Sequence, residues 1–392
     1  MEIIVQLANA IGRAGTALVL VTVLAAVGGC ASADAGDAPG ESPERFLIVG
    51  QDLDSVRGYV ASGCCPAPDG ITTYMTLYNL LSEAADFGGI GLDADGAPIG
   101  RDADWGAGPS NAVTSATEFG TGRLVVGLFI AENNHPGGLA EVIAGQRDAE
   151  IRQLARLFDH VGGTIYLRIG YEFDGRWNVG VEEPETYKAA YRHIVDVLRA
   201  EGVSNVAYVW HAAASPIDDV LDRAHEDIRR WYPGDGYVDW MALSWFLLPE
   251  EGPRVKTGYN PATQRELADE VVQFARERSK PVMIAEAAPQ GYDLGALSSR
   301  HISRIWDGPT GKGRKKHSAA DIWRAWYAPV FAFLEQNGDT IRALAYINCH
   351  WDSQDMWDAP YEGGYWGDSR LQVNAEIARR WSAAIESWRG DR

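Results

Sequence analysis

The chain has 392 residues, of which 46% are hydrophobic and 23% are charged, a composition typical of a globular protein. Its 54 acidic residues outnumber its 35 basic residues, and the resulting net charge of −19 excludes a nucleic-acid-binding protein, because that class carries the opposite balance. A neutral ligand such as a polysaccharide would not be repelled by this charge.

The N-terminal segment is typical of a secretory signal. Arg13 is followed by an apolar run that ends in small residues and Cys30. This run is shorter than the roughly 20 apolar residues of a membrane span. Its ending, VGGC, is similar to the bacterial lipobox, in which the cysteine becomes the lipidated first residue. We predict a lipoprotein signal over residues 1–29 with Cys30 lipidated; an ordinary cleaved signal with an incidental cysteine is the alternative. Residues 30–44 are small, polar and rich in Pro and Gly, which predicts a flexible tether.

Residues 45–392 alternate between short apolar runs and longer amphipathic runs. The apolar runs are nearly continuous in Val, Ile, Leu and aromatic residues, as expected of parallel strands that are buried on both faces. Eight strands are predicted in this way, at residues 46–50, 70–80, 123–131, 164–171, 205–211, 237–246, 281–286 and 341–351.

Amphipathic helices are predicted between several of these strands, at residues 148–161, 184–202 and 262–279. The alternation of strand and helix, repeated about eight times, predicts a single-domain α/β protein, a (β/α)₈ TIM barrel with long loops on its catalytic face. A doubly wound open sheet is the alternative. That fold usually has a G-x-G-x-x-G turn after its first strand, and no such turn follows Gly50.

Two of the predicted strands end in an isolated glutamate, Glu172 after the fourth and Glu286 at the end of the seventh. In a barrel of this type the catalytic groups lie at the carboxyl ends of the strands. A glycosidase needs two carboxyl groups, one to protonate the leaving oxygen and one to stabilise or attack the anomeric carbon. The pair therefore predicts a glycoside hydrolase, and salt-bridged structural glutamates are the alternative.

Aromatic and polar side chains at the predicted strand ends are candidates for binding sugar. The chain has 14 tryptophans, and indoles stack on the apolar faces of sugar rings. The candidate platforms, each of which could equally be a core residue, are Trp105, Trp177, Trp245 and Trp351. His211 and Asn348 could bond sugar hydroxyls or merely satisfy loop backbone. Because no metal-ligand spacing and no serine nucleophile elbow is present, we expect no cofactor.

Over most of residues 45–385 the chain resembles glycoside hydrolase family 26, which belongs to a clan of retaining (β/α)₈ glycosidases. Arg168, Glu172 and Gly175 resemble the family's arginine, acid/base glutamate and glycine, and Trp177 lies near its tryptophan. The stretch PVMIAE resembles the strand that carries the nucleophile. The resemblance implies that Glu172 is the acid/base, that Glu286 is the nucleophile, and that the substrate is a β-linked polysaccharide: mannan most often, with β-1,3-xylan and mixed-linkage β-glucan as minor activities.

Two positions depart from the family pattern. The residue before the acid/base glutamate is usually His and is Tyr171 here. The sixth strand usually supplies a tyrosine whose hydroxyl meets the nucleophile; its match here is Phe246, beside Trp245, and a phenyl ring cannot make that hydrogen bond. A non-catalytic polysaccharide-binding lipoprotein on the same barrel is therefore a second hypothesis. Retention of both glutamates favours the enzyme.

The cysteines after Cys30 are too few for a disulfide scaffold and wrongly spaced for zinc. Because strand eight of a barrel closes against strand one, we predict a disulfide from Cys349 to Cys64 or Cys65. We expect an exported monomer that acts on polysaccharide or oligosaccharide. It would be secreted or held at the bacterial cell envelope, with membrane contact only through its lipid anchor.

Overall fold

The computed structural model describes residues 44–82, 88–216, 219, 224–246, 262–300, 314–357 and 366–390. The predicted signal, Cys30 and the predicted tether up to residue 43 lie outside the described residues. Arg45–Arg392 forms one compact unit. In the part of the chain that the structure describes, no helix has both the length and the apolar character needed to cross a membrane.

Eight parallel strands close into a barrel in the order β1-β8-β7-β6-β5-β4-β3-β2. They are β1 Phe46–Gly50, β2 Gly70–Thr76, β3 Arg123–Phe129, β4 Thr164–Ile169, β5 Val206–Ala212, β6 Trp240–Trp245, β7 Val282–Ala287 and β8 Ile341–Ile347. The predicted (β/α)₈ barrel is confirmed. Several predicted strands ran too long, most clearly the eighth, because the apolar run continues into buried residues that follow the last ladder pair at Ile347.

Helices surround the barrel: α1 Leu53–Ser62, α2 Ala112–Thr117, α3 Gly138–Ile143, α4 Asp148–Val161, α5 Pro184–Ala200, α6 Gln264–Glu277, α7 Ala319–Ile322, α8 Ala328–Gln336 and α9 Ala375–Arg389. A π-helical turn, Trp323–Tyr327, joins α7 to α8. Local sequence sets the starts of several helices. Asp52 accepts the Ser55 N–H at the start of α1, and Thr263 with Glu266 forms a capping box at the start of α6.

Short elements decorate the loops between the main ones. Two antiparallel strand pairs follow β2: Ile90–Leu92 with Pro98–Gly100, and Ala103–Asp104 with Pro109–Ser110. Three 3₁₀ turns follow β8: Trp351–Ser353, Asp355–Trp357 and Leu371–Val373. A further 3₁₀ turn is Ile228–Trp231, and a small sheet is built from Tyr292–Asp293, Ser298–Ser299 and Lys315–Lys316. The segment between β2 and β3 thus holds two hairpins and α2.

The barrel interior changes character along its axis. Its lower part is filled by an apolar cluster: Phe46, Ile48, Val125, Tyr166, Val209, Ala242, Met283, Ala285, Ala343 and Ala345. Nearer the carboxyl ends of the strands, polar side chains replace these residues, among them Tyr74, Arg168, His211, Ser244 and Glu286. Apolar side chains therefore fill the amino-terminal end of the barrel, and the hydrogen-bonding side chains lie at its carboxyl-terminal end.

The predicted disulfide of Cys349 is wrong: Cys349, Cys64 and Cys65 are all free thiols. Cys349 is buried at the carboxyl end of β8, whereas Cys64 and Cys65 follow the far end of α1. A ten-residue helix is about 15 Å long, and a disulfide needs Cα atoms within about 7 Å. The loop that follows α1 lies at the opposite end of the barrel from Cys349, so the two cannot meet.

Candidate active site

Glu286 is turned into the barrel by an irregularity in the β6–β7 ladder. The register shifts after Leu243, so that Ser244 lies opposite Glu286 instead of opposite Ala285. Such a bulge re-aims the side chains that follow it. The Glu286 carboxylate is buried, and its Oε1 atom accepts hydrogen bonds from Arg168 Nη1 at 2.6 Å and from the Tyr74 hydroxyl at 2.8 Å. A guanidinium and a phenol thus converge on one oxygen.

Aromatic rings cover the Arg168 guanidinium, which is fully buried. Its central carbon lies 5.1 Å from the centroid of the Tyr74 ring and 5.2 Å from that of Tyr171, distances typical of cation–π contacts. Gly127 on β3 makes this packing possible. A Cβ atom there would lie 2.7 Å from the Tyr74 ring and 2.9 Å from Arg168 Nη2. The absence of a side chain at Gly127 leaves the space that both groups occupy.

Glu172 follows β4 in a turn with left-handed backbone, at φ 55°. This conformation costs a residue other than glycine about 1–2 kcal/mol. Three hydrogen bonds hold it. The Glu172 N–H donates to the carbonyl of His211 at 2.8 Å, and the Glu172 carbonyl accepts from the Gly175 N–H and from Asn178 Nδ2, both at 2.9 Å. The turn is thus fixed to β5 on one side and to its own loop on the other.

Neutral groups hydrogen-bond the Glu172 carboxyl group. Ser244 Oγ donates to Oε1 at 2.6 Å, and Trp177 Nε1 donates to Oε2 at 3.0 Å. The Trp177 indole packs directly against Gly175, and a Cβ atom at residue 175 would overlap the ring. Burial, and then the charge of Glu286, raise the pKa of Glu172 to about 8, although the bond from Ser244 acts in the opposite direction. The group is therefore protonated at neutral pH.

His211 lies between these two carboxyl groups and is fully buried. Its Nδ1 atom is 3.3 Å from Arg168 Nη1, and its Nε2 atom is 3.1 Å from Ser244 Oγ. Burial and the positive charge of Arg168 hold the pKa of His211 well below its ordinary value, so the imidazole is neutral. Among the described residues, no group of three or more His, Cys, Asp or Glu side chains could hold a metal ion.

The glycosyl hydrolase family 26 profile matches residues 116–289, the stretch that contains Arg168, Glu172 and Glu286. The chain is 34% identical over 369 residues to a β-1,3-xylanase of Alcaligenes sp., an alignment that covers 93% of this chain and 68% of that protein. It is also 34% identical to β-1,3-xylanase TXYA of Vibrio sp., covering 92% of this chain and 69% of that one.

The chain belongs to glycosyl hydrolase family 26. A solved relative, the catalytic domain of a Bacillus sp. JAMB-750 endo-β-1,4-mannanase of this family, aligns with a TM-score of 0.50 at 15% identity, over 88% of this chain and 90% of that one. At this identity the likeness concerns the fold alone. The predicted family is confirmed, and so is the prediction that the chain is a glycoside hydrolase.

Two residues predicted to bind sugar lie elsewhere in this family 26 enzyme. Trp245 is fully buried on the outer face of β6, where its ring centroid is 4.8 Å from that of Phe333 on α8. Strand alternation gives the inward position to Ser244 instead. Asn348 is also fully buried, and it donates to the Ser55 carbonyl at 3.2 Å and accepts the Leu371 N–H at 2.8 Å. Its amide joins the first turn of α1 to the turn Leu371–Val373, and its full burial keeps it from contact with a sugar.

The other aromatic candidates differ in their access to solvent. Trp351 is buried, donates from Nε1 to Ser369 Oγ at 3.0 Å, and packs edge-on against Phe246 and Trp357. Phe246 and Trp357 are only half-buried and so form the accessible side of this aromatic cluster. Trp105 is half-buried in the turn between two short strands, and the adjacent Gly106 carbonyl accepts the Met356 N–H at 3.0 Å. Of the predicted tryptophans, Trp177 is the one in contact with a carboxyl group of the pair.

Tyr74 and Ser244 were not among the residues predicted for the site. Tyr74 supplies from β2 the hydroxyl that was expected, and absent, at Phe246 of the sixth strand. Tyr171, which replaces the family's usual histidine, lies beyond the end of β4 at Ile169 and covers Arg168. The strand alternation could have indicated both residues. Tyr74 lies on the same face of β2 as Thr72, and Ser244 lies on the same face of β6 as Ala242, so each face carries a small or hydroxyl-bearing side chain.

Proposed function

We propose that this family 26 enzyme hydrolyses the interior linkages of β-1,3-xylan with retention of configuration, with Glu172 as the acid/base and Glu286 as the nucleophile. The contrast between the two carboxyl groups carries the proposal. Glu172 is protonated at neutral pH among neutral donors, whereas Glu286 faces a guanidinium. The substrate is inferred from the two relatives named β-1,3-xylanase, which align with more than nine-tenths of the chain.

In the first step Glu286 attacks the anomeric carbon while Glu172 gives its proton to the departing glycosidic oxygen. The glycosidic bond breaks and an ester forms between the sugar and Glu286. Arg168 and Tyr74 both bond Oε1 of Glu286, which leaves Oε2 as the attacking atom. The aromatic cover over Arg168 keeps water from this side of the carboxylate and strengthens its pairing with the guanidinium.

In the second step Glu172, now a carboxylate, takes a proton from water, and the resulting hydroxide equivalent displaces Glu286 from the anomeric carbon. Glu172 ends protonated and Glu286 ends free, so the enzyme returns to its starting state. Two displacements at one carbon restore the original β configuration. The Trp177 and Ser244 hydrogen bonds hold both oxygens of Glu172 in place through this change of charge.

The proposal is tested by incubating the purified enzyme with β-1,3-xylan, β-1,4-xylan, β-mannan and mixed-linkage β-glucan. We expect a rapid fall in viscosity on β-1,3-xylan alone, release of xylo-oligosaccharides of several lengths, and the β anomer as the first product by proton NMR. Preferential release of manno-oligosaccharides would replace the substrate. Binding to polysaccharide with no product from any of them would support the non-catalytic alternative.

We propose in addition that the enzyme is exported and lipid-anchored through Cys30. The VGGC sequence after an apolar run supports this, and so does the small, polar composition of the residues that follow, which would act as a tether. The test is incorporation of labelled fatty acid in a bacterial host. The wild type should be labelled and recovered with membranes, whereas Cys30→Ser should be unlabelled; equal labelling of both would rule out this anchor.

A further inference from the structure

A path of four hydrogen bonds, through three side chains, joins the two carboxyl groups. It runs from Glu286 to Arg168 at 2.6 Å, from Arg168 to His211 at 3.3 Å, from His211 to Ser244 at 3.1 Å, and from Ser244 to Glu172 at 2.6 Å. Its three inner members are all buried, and they lie on three successive strands, β4, β5 and β6.

The chemistry of Arg168 fixes the direction of every hydrogen bond in this path. A guanidinium only donates, and the two protons on Nη1 serve Glu286 and His211. His211 Nδ1 must therefore accept, which places the proton of the neutral imidazole on Nε2. That N–H donates to Ser244 Oγ, and Ser244 is left with one proton, which it gives to Glu172 Oε1. Ser244 cannot reverse its hydroxyl without leaving two donors facing each other.

We infer that Ser244, oriented by His211, is a positioning residue that promotes loss of the Glu172 proton to the leaving oxygen and stabilises the carboxylate that must then activate water. The inference rests on the proposed role of Glu172. A hydroxyl locked as a donor bonds a carboxylate more strongly than a carboxylic acid, because the hydrogen bond becomes charge-assisted. The bond therefore strengthens as the proton departs, which lowers the barrier to the first step.

Several other groups act on Glu172 and must be separated from this effect. Burial opposes its charged form, and Glu286 on β7 and Asp174 in the same loop oppose it electrostatically. Trp177 favours the charged form through its hydrogen bond to Oε2. Among the described residues, the charged or titratable groups that face this pocket from the remaining elements are Tyr74 on β2, Arg168 on β4, Tyr171 before Glu172, and His211 on β5. Of all these contacts, only the Ser244 bond is removed by a change at residue 244.

The decisive measurement reads the ionisation of Glu172 without substrate. Because Trp177 Nε1–H donates to Glu172 Oε2, the nitrogen shift of that indole reports the charge on the carboxyl group. Protein labelled with ¹⁵N-tryptophan is titrated from pH 5 to pH 10, and the Trp177 signal is assigned with Trp177→Phe. Ser244→Ala should move the midpoint upward by about one pH unit. Ser244→Thr, which keeps the hydroxyl, should titrate like the wild type.

The role of His211 is tested in the same way. His211→Phe removes the group that orients Ser244, so its midpoint should also rise, by less than that of Ser244→Ala. The double variant should match Ser244→Ala alone, because both changes act through one hydrogen bond. Unchanged midpoints in Ser244→Ala, or fully additive shifts in the double variant, would overturn the inference.

Kinetics with a β-1,3-xylo-oligosaccharide, whose leaving group needs the Glu172 proton, then link the titration to turnover. In Ser244→Ala the alkaline limb of kcat/KM should move upward with the NMR midpoint, and formation of the glycosyl-enzyme should slow up to about tenfold, because Glu172 becomes a weaker acid. A residue with a purely structural role would lower the rate and leave the limb where it is. The two proposals fail separately: a wild type without activity refutes the proposed function, whereas an active wild type with an unmoved Ser244→Ala limb refutes only the role of Ser244.

Discussion

The two glutamates at the barrel mouth share a residue type and a strand-end position but have different surroundings. Glu286 lies within the β7 ladder and is bonded by a cation and a phenol. Glu172 lies beyond the end of β4 in a left-handed turn and is bonded by an indole and a hydroxyl. In the proposed mechanism, the charge of the donors, more than the position in the fold, distinguishes the acid/base Glu172 from the nucleophile Glu286.

Of the substitutions that distinguish the two glutamates, removal of Glu286 should have the largest effect. We expect Glu286→Ala to lower kcat by about 10⁵-fold or more on polysaccharide and on aryl glycoside alike, because no glycosyl-enzyme can form. Initial rates on β-1,3-xylan and on an activated aryl β-xyloside give the measurement, with melting temperature as the check on folding. Substantial turnover of the aryl glycoside by this variant would mean that another residue is the nucleophile.

Removing Glu172 should have a smaller effect that depends on the substrate. Glu172→Ala should lose about 10²–10⁴-fold on polysaccharide and much less on an aryl glycoside whose leaving group needs no proton. Azide should restore turnover by attacking the glycosyl-enzyme and give a product of retained configuration. With Glu286→Ala, azide would replace the nucleophile and give the inverted product. Identical azide products from the two variants would contradict the division of roles.

The protonation of Glu172 should be visible in stability as well. Its folded-state pKa of about 8 lies above the unfolded value of about 4.3, so the folded protein holds the extra proton between these limits. The free energy of unfolding therefore falls as pH rises through this window. Glu172→Gln is neutral throughout and should gain about 2–4 kcal/mol over the wild type between pH 5 and pH 9. Urea unfolding at both pH values measures the gain, and a constant difference would argue against a raised pKa.

The smallest expected effect concerns the phenol on Glu286. Tyr74→Phe removes one of two hydrogen bonds to Oε1 and leaves the Arg168 bond in place, so kcat/KM should fall about tenfold and stability by about 1 kcal/mol. Tyr59→Phe on α1 is the matched control, because that buried hydroxyl bonds the Pro66 carbonyl at 2.8 Å, away from the carboxyl groups. It should lose similar stability and keep its activity. Equal losses of activity in both variants would remove Tyr74 from the site.

Much of the fold could be predicted because its pattern is local. The first strand and the helix Asp148–Val161 have the bounds that their apolar periodicity predicts. The last predicted strand was too long because an apolar sequence indicates that residues are buried, and not that they hydrogen-bond to a neighbouring strand. Cys349 and Trp351 are buried after β8 ends, against Ser369 of a later loop.

The sequence predicted the charged residues of the site but not the hydrogen bonds that hold them. Glu172, Glu286 and Arg168 were found from strand ends and family resemblance. The bulge that aims Glu286 and the left-handed turn at Glu172 have no glycine or proline to mark them at those residues. Tyr74 escaped notice because its partner lies 212 residues away in the sequence, a pairing that depends on closure of the barrel.

The left-handed backbone at Glu172, the proposed acid/base, opposes selection for stability to selection for catalysis at a single codon. Glycine adopts this conformation without strain, so replacing the glutamate would relax the turn by about 1 kcal/mol and also remove a half-buried ionisable group. A screen for heat-resistant variants that does not assay turnover would therefore enrich inactive proteins at this residue. Directed evolution of this enzyme should hold codon 172 constant and seek its gains in melting temperature elsewhere.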